Sequence, residues 1–356
     1  MAESAFIEIL REALELSASD MHVDEGGAVM LRAGGELREA GARVFSAADF
    51  AVMLEETRCP AAGLFRTEHE LDYGCTVEAG GMDVRLRVNL SYSRGRAAAA
   101  MRIVPPAVKR IDELGLPAAL KEISRARSGL FLVTGPSGAG KSTTLAAMLE
   151  EINSSAPAHI ITIEDPIEYI FEPKRALIHQ REAGGDTRGF AEALRRAMRQ
   201  DPDVIMIGEL RDAETAGAAM NAAETGHLVL STLHTGSAVG SLERMCGFFP
   251  PHDRGSVRAR LAESLTGVMS QRLARRAGSE GRAVAAELLL ATGAVKSCIR
   301  DGKSSQIRDA MRSGATLGMR TMEQSLAALC RSGTITREEA LGLASSREEL
   351  VECLRQ

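Results

Sequence analysis

At 356 residues the chain is long enough for two domains that each bury a core. Its 45% apolar and 26% charged residues are ordinary for a soluble globular protein, and a net charge of −5 gives no global attraction to nucleic acid or anionic lipid. Aromatics make up only 3% and tryptophan is absent, which argues against a platform for stacking single strands, so no nucleic acid partner is expected. The cysteines (Cys59, Cys75, Cys246, Cys298, Cys330 and Cys353) are scattered and never form Cys-x-x-Cys. They read as reduced thiols, with no zinc site and no disulfide frame. No segment approaches the ~20 apolar residues of a membrane span, and the N-terminus lacks a signal-peptide core, so the expected compartment is the cytoplasm.

Taken in order, residues 5–16 place Phe6, Ile9, Leu10, Ala13 and Leu14 on one helical face. Ser17 to Asp20 breaks that helix, and an alternating strand starts at Met21-His22-Val23. His22, alone beside a turn, reads as a local hydrogen-bonding residue rather than a ligand. Gly34-Gly35 marks a hairpin, and a second helix begins at Ser46-Ala47-Ala48-Asp49. After a hairpin turn at Gly80-Gly81, Met82, Val84, Leu86, Val88 and Leu90 alternate with polar residues. Arg85 and Arg87 therefore share one strand face, and Arg102 lies in the next strand, Ala97 to Val104. Such a face is commonly just solvated. Pro105-Pro106 closes a first domain at 1–106, residues 107–117 read as a linker, and 118–356 form the second domain.

The second domain opens on its most informative stretch. Leu130 to Val133 has the length of a buried strand and runs into Gly135-Pro136-Ser137-Gly138-Ala139-Gly140-Lys141-Ser142-Thr143, followed by a helix from Thr143 to Ile152. This is G-x-x-x-x-G-K-S between strand and helix. Glycines let successive N–H groups turn toward phosphate oxygens, backed by the positive end of the helix. Lys141 is expected to reach the outer phosphates and Ser142 to bind magnesium, so the stretch points to a nucleoside triphosphate.

Three more apolar strands follow, each ending in polar residues. Ile160 to Ile163 ends at Glu164-Asp165-Pro166, Val204 to Ile207 at Gly208-Glu209, and Leu228 to Leu230 at Ser231-Thr232-Leu233-His234-Thr235. Helices from Thr187 to Gln200 and Asp212 to Thr225 separate them, which argues a parallel sheet with chemistry at the carboxyl ends of the strands. From about His252 the chain reads as mainly helical, with Val257, Leu261, Leu265, Val268 and Leu273 at helical spacing over 255–275. The expected class is α/β.

Removing a terminal phosphate takes a metal, charge neutralisation and a carboxylate that positions water. Glu209 is the candidate carboxylate, although a helix-start acid is the alternative reading. Gly208 stands where an Asp usually helps hold magnesium, which leaves Ser142, with help from Glu164. Glu164 reads equally as a turn cap. His234 is placed to report the γ-phosphate, and His227 does the same or is a structural hydrogen-bonder.

Taken together these stretches resemble the secretion and type IV pilus ATPase superfamily, and within it the pilus retraction ATPases. Ala18-Ser19-Asp20-Met21-His22 is similar to the family's N-terminal A-S-D-L-H. Ile163 to Tyr169 resembles its acidic box, Arg199 to Asp212 its Walker B region, and Ala223 to Val229 with Thr232 to Thr235 its histidine box. The resemblance implies a PAS-like α+β N-terminal domain and a RecA-like ATPase domain in a ring-shaped homohexamer. It implies ATP and magnesium as cofactors, and arginines that complete the site, matching here Arg85, Arg87 or Arg102. It also implies motion that drives pilus disassembly, an inner-membrane platform protein and paralogous pilus ATPases as partners, and peripheral attachment to the inner membrane. Extension and type II secretion ATPases typically carry an extra N-terminal domain and a tetracysteine module, neither of which this sequence contains. The retraction motif A-I-R-N-L-I-R-E is met by Ala294 to Asp301, with Ser297 and Cys298 departing from it. An extension or secretion ATPase of the same fold, or a non-motor paralogue that regulates retraction, stays open as the alternative.

Overall fold

In the computed structural model, which describes residues 3–59, 62–104, 108–278 and 281–355, the chain falls into two compact units. One is Met1–Ala107 with Pro166–Ile170, and the other is Val108–Asp165 with Phe171–Gln356. The Pro105-Pro106 boundary lies outside the described residues.

The first unit is α+β. Its elements are α1 (Ala5–Glu15), β1 (Asp20–Asp24), β2 (Gly27–Ala33), β3 (Glu36–Phe45), α2 (Ala47–Glu56), α3 (Ala62–Glu68), β4 (Glu70–Ala79), β5 (Met82–Ser93) and β6 (Arg96–Val104). The strands form one antiparallel sheet in the order β3-β2-β1-β6-β5-β4. Helix α1 starts where the Ser4 hydroxyl accepts from the Ile7 N–H, and α2 starts with a reciprocal Ser46–Asp49 capping box. The tight hairpins work because Gly34, Gly35, Gly80 and Gly81 all take positive φ, which the turn type demands. Phe6, Leu10, Met21, Leu31, Met53, Leu86 and Met101 form the core.

The second unit holds α4 (Ala119–Ser124), β7 (Gly129–Thr134), α5 (Lys141–Ser155), β8 (His159–Glu164), β9 (Leu177–Glu182), α6 (Phe190–Ala197), β10 (Val204–Ile207), α7 (Ala213–Glu224) and β11 (Leu228–Leu233). It continues through α8 (Ala238–Gly247), α9 (Arg254–Ser264), β12 (Leu265–Arg275), β13 (Arg282–Leu290), α10 (Gly293–Asp301), α11 (Ser304–Ser313), α12 (Met322–Arg331), α13 (Arg337–Leu343) and α14 (Arg347–Arg355). The sheet order is β13-β12-β7-β11-β10-β8-β9, parallel except for β13 against β12. Strands β7, β10 and β11 are buried along their whole length, which fits their unbroken apolar runs. Helices α12 to α14 close a smaller core over β12 and β13, with Met322, Leu326, Ile335 and Leu350 against Ala274 and Ala285.

The region from His252 is mainly helical, but the helical reading of 265–275 needs correcting. Helix α9 ends at Ser264, and Leu265 to Arg275 is a strand beside β7. Burial on both faces removed the period of two, so Leu261, Leu265 and Val268 fell on helical spacing without a helix beyond Ser264. The pairing of β12 with β7 shifts register between Leu265 and Gly267, as at a β-bulge. A Cβ at Gly267 would lie 2.6 Å from the Leu289 carbonyl and 3.2 Å from the Phe131 ring. Gly267→Ala should therefore cost about 1–3 kcal/mol by overpacking. Differential scanning calorimetry should show the melting temperature falling by roughly 2–8 °C.

Candidate functional site

Strand β7 delivers the chain to the loop that starts at Gly135. Gly135, Gly138 and Gly140 have φ of +147°, +74° and +85°, and Gly140 is the left-handed residue just before α5. A Cβ on Gly135 would sit 2.5 Å from the backbone oxygen of Gln271, so glycine is required there. Pro136, Ser137 and Ala139 complete the turn. The Lys141 ammonium, almost fully buried, donates to the carbonyls of Gly135 and Pro136 at 3.0 Å each. Ser142 and Thr143 follow in the first turn of α5, half-buried, at the positive end of a helix with no acidic residue in that turn.

The sheet brings the other candidates to the same edge. Strands β7, β11, β10 and β8 are consecutive neighbours and parallel, so their carboxyl ends stand in a row at ~4.8 Å intervals. His234 follows β11, and its Nδ1 lies 3.5 Å from Lys141 Nζ. Its Nε2 lies 3.3 Å from Glu209 Oε2. An ammonium only donates, so in this contact Nδ1 is the acceptor, and Nε2 faces the carboxylate. The other Glu209 oxygen is ion-paired with Arg211, whose second nitrogen is 3.9 Å from Asp165. The hydrogen bond from Arg211 to Glu209 holds the guanidinium above its ordinary pKa. Glu164 ends β8, buried, accepting from Thr162 Oγ1 at 2.7 Å and Gln180 Nε2 at 3.3 Å. A Cβ on Gly208 would face the Glu164 Cα at 3.6 Å, so the acid that Gly208 lacks has its counterpart on the adjacent strand. Among the described residues no group of three or more His, Cys, Asp or Glu could hold a metal. The donors present at this edge are the oxygens of Ser142 and Glu164, the type that hard cations take.

His227 is not brought here. It precedes Leu228, which pairs with Gly129 at the start of β7, about 20 Å along the strands from the loop. Its Nδ1 is 2.9 Å from the Ala222 carbonyl and 3.3 Å from Thr225 Oγ1, so it ties off the end of α7. Within this chain the contacts of His227 are those of a structural hydrogen-bonder.

The three arginines form one group within the first unit. Arg87 and Arg102 are direct cross-strand partners, and Arg85 shares the β5 face with Arg87. Like charges placed opposite each other repel. Carboxylates offset this: Arg87 pairs with Glu168, and Arg102 donates to Asp20 at 2.9 Å.

Two residues that sequence reasoning missed complete the site. Arg211 holds Glu209, and its adjacency in Gly208-Glu209-Leu210-Arg211 was a legible signal. Gln271 of β12, fully buried, donates to the Ala139 carbonyl at 2.5 Å and accepts from the Thr144 hydroxyl at 2.8 Å. No sequence signal pointed to it, because its strand was read as helix.

A sequence model of the family described as type II/IV secretion system protein matches residues 2–342. The chain belongs to that family. It is 40% identical to the type IV pilus retraction ATPase PilT of Pseudomonas aeruginosa, over 94% of this chain and 96% of that one. It is 35% identical to the type IV pilus ATPase PilU of the same organism, over 97% and 90%. A crystal structure of the pilus retraction motor PilT with bound ADP superposes with a TM-score of 0.90 at 39% identity, covering 99% of this chain and all of that one. The α/β fold of the secretion ATPases and the resemblance read from the boxes both stand.

Gln271→Leu keeps the volume but strands the Ala139 carbonyl and the Thr144 hydroxyl, at a cost of about 1–3 kcal/mol. Titration with a fluorescent adenine nucleotide should show affinity reduced roughly tenfold, since 1.4 kcal/mol is one decade. Unchanged affinity would remove Gln271 from the site.

Proposed function

We propose that this family member is a magnesium-dependent ATPase motor, working as a homohexamer, that drives retraction of a type IV pilus. The observation that carries the reading is the row of Lys141, His234 and Glu209 at one sheet edge, in a chain matched almost end to end by PilT. The type II secretion E proteins of Aeromonas hydrophila and Pseudomonas aeruginosa are matched over 53% of their own length and HxcR over 75%, against 96% for PilT, which favours retraction over secretion.

In this reading the N–H groups from Gly135 to Thr143 wrap the phosphates of ATP, and Lys141 turns from the loop carbonyls to the outer phosphate. Ser142 and Glu164 would hold magnesium, which supplies charge neutralisation when bound. Glu209 orients or deprotonates the attacking water once Arg211 and His234 release it. His234 touches both Lys141 and Glu209, so it senses whether the γ-phosphate is present. One of Arg85, Arg87 and Arg102 completes the charge stabilisation, and the change of nucleotide becomes a movement of the units. The partners are an inner-membrane platform protein and paralogous pilus ATPases, with the chain held peripherally at the inner membrane. Among the described residues no helix is long and apolar enough to cross a membrane.

Glu209→Gln should lower steady-state ATP hydrolysis by at least about 100-fold, as loss of a positioned base does. Cells carrying it as the only copy should show excess surface pili by electron microscopy and no twitching. Bald cells would instead favour the second reading, an extension ATPase of the same fold. Replacing Arg85, Arg87 and Arg102 one at a time by Ala should single out one arginine, with kcat down roughly 10³–10⁵-fold. Three variants at wild-type kcat would discard that part of the assignment.

A further inference from the structure

Helices α8, α9, α10 and α11 of the second unit surround a cavity of about 360 Å³, within the range of small-molecule sites. Arg254 and Arg258, one helical turn apart on α9, line it from one side. Both are half-buried, and among the described residues neither is ion-paired. The Nε of Arg254 is cut off from water with no hydrogen-bond partner. The Arg258 guanidinium lies beside the Cys246 thiol, which burial pushes up in pKa and the guanidinium draws back. Ser304, the first residue of α11, stands in the same wall, and that helix begins with neither a side-chain cap nor an acidic first turn. Its free N–H groups add positive potential. One carboxylate, Glu243, also lines the cavity, leaving two guanidiniums against one acid.

Taking a cation out of water without a partner is costly, and such groups persist where an anion completes them. Two forked guanidiniums with backbone N–H groups beside them match an anion carrying several oxygens in a tetrahedral arrangement. The remaining wall includes Leu242, Ile299 and Ile307, and the space exceeds what a bare phosphate fills. We propose that this cavity is a second ligand site, separate from the phosphate loop, for a small phosphorylated molecule with an apolar body. Arg254, Arg258 and the start of α11 hold the phosphate, the apolar side chains hold the body, and Glu243 takes a hydroxyl or amine of the ligand. Cys298, one of the two departures from the retraction motif, forms part of the wall.

The test uses the full chain with its phosphate loop saturated with ADP and magnesium. Phenyl phosphate should bind saturably by isothermal titration calorimetry, about tenfold more tightly than inorganic phosphate because its ring is buried. Benzyl alcohol, which has no charge, should not bind. Arg254→Gln and Arg258→Gln should each weaken phenyl phosphate about tenfold or more. In the unaltered protein, phenyl phosphate should also slow maleimide labelling of Cys298 severalfold, with Cys330 and Cys353, which lie outside the cavity, labelled at the same rate throughout. Absence of saturable binding would overturn the proposal. So would binding that survives both arginine substitutions, or that disappears in Lys141→Ala, which would place the ligand in the phosphate loop. Equal protection of all three cysteines would overturn it as well.

Discussion

The phosphate loop depends on a buried amide that lies more than a hundred residues further along the chain. Gln271 holds the Ala139 carbonyl and the Thr144 hydroxyl with its side chain, and its backbone oxygen packs against Gly135. A loop of three positive-φ residues has little regular structure of its own, so its shape is set by what it rests on. Because β12 is pinned between β7 and β13, the loop inherits the rigidity of the sheet. The Gly-rich motif supplies the conformational freedom, and β12 removes the excess.

The same edge arranges charge so that each group is answered by a neighbour. Lys141 rests on carbonyls, His234 stands between an ammonium and a carboxylate, and Glu209 is shared between His234 and Arg211. A ligand phosphate would compete for Lys141, and that competition reaches Glu209 through one imidazole ring. The arginines of the first unit are arranged differently. Arg87 and Arg102 face each other and rely on acids from elsewhere in that unit, Glu168 and Asp20, to offset their repulsion.

Where the sequence was legible, local chemistry and the fold agreed. The strand and glycines around 130–140 needed no tertiary knowledge, and the helix read from Asp212 to Thr225 is α7, which the Asp212 side chain caps. Paired glycines located two hairpins. The failures share a cause in burial and context. Strand β9 alternates poorly (Leu177-Ile178-His179-Gln180-Arg181-Glu182) because it is a half-exposed edge, and β12 shows no alternation because both its faces are covered. His227 shows a different limit: proximity in sequence to a strand does not say which end of the sheet a residue occupies, and β11 has its chemistry at the other end.

The position of β7 also has a consequence for synthesis. Its two neighbours in the sheet are β11 and β12, which end at Leu233 and Arg275, so the strand that leads into the loop is made long before either can pair with it. At the usual pace of translation, about 140 further residues take roughly 7–28 s. Throughout that interval the nascent chain displays a glycine-rich segment with nothing to shape it, and loop closure over so long a separation is slow. The nucleotide pocket thus matures long after the strand that leads into it is made. Its assembly reports that the ribosome has passed residue 275, well into the second unit.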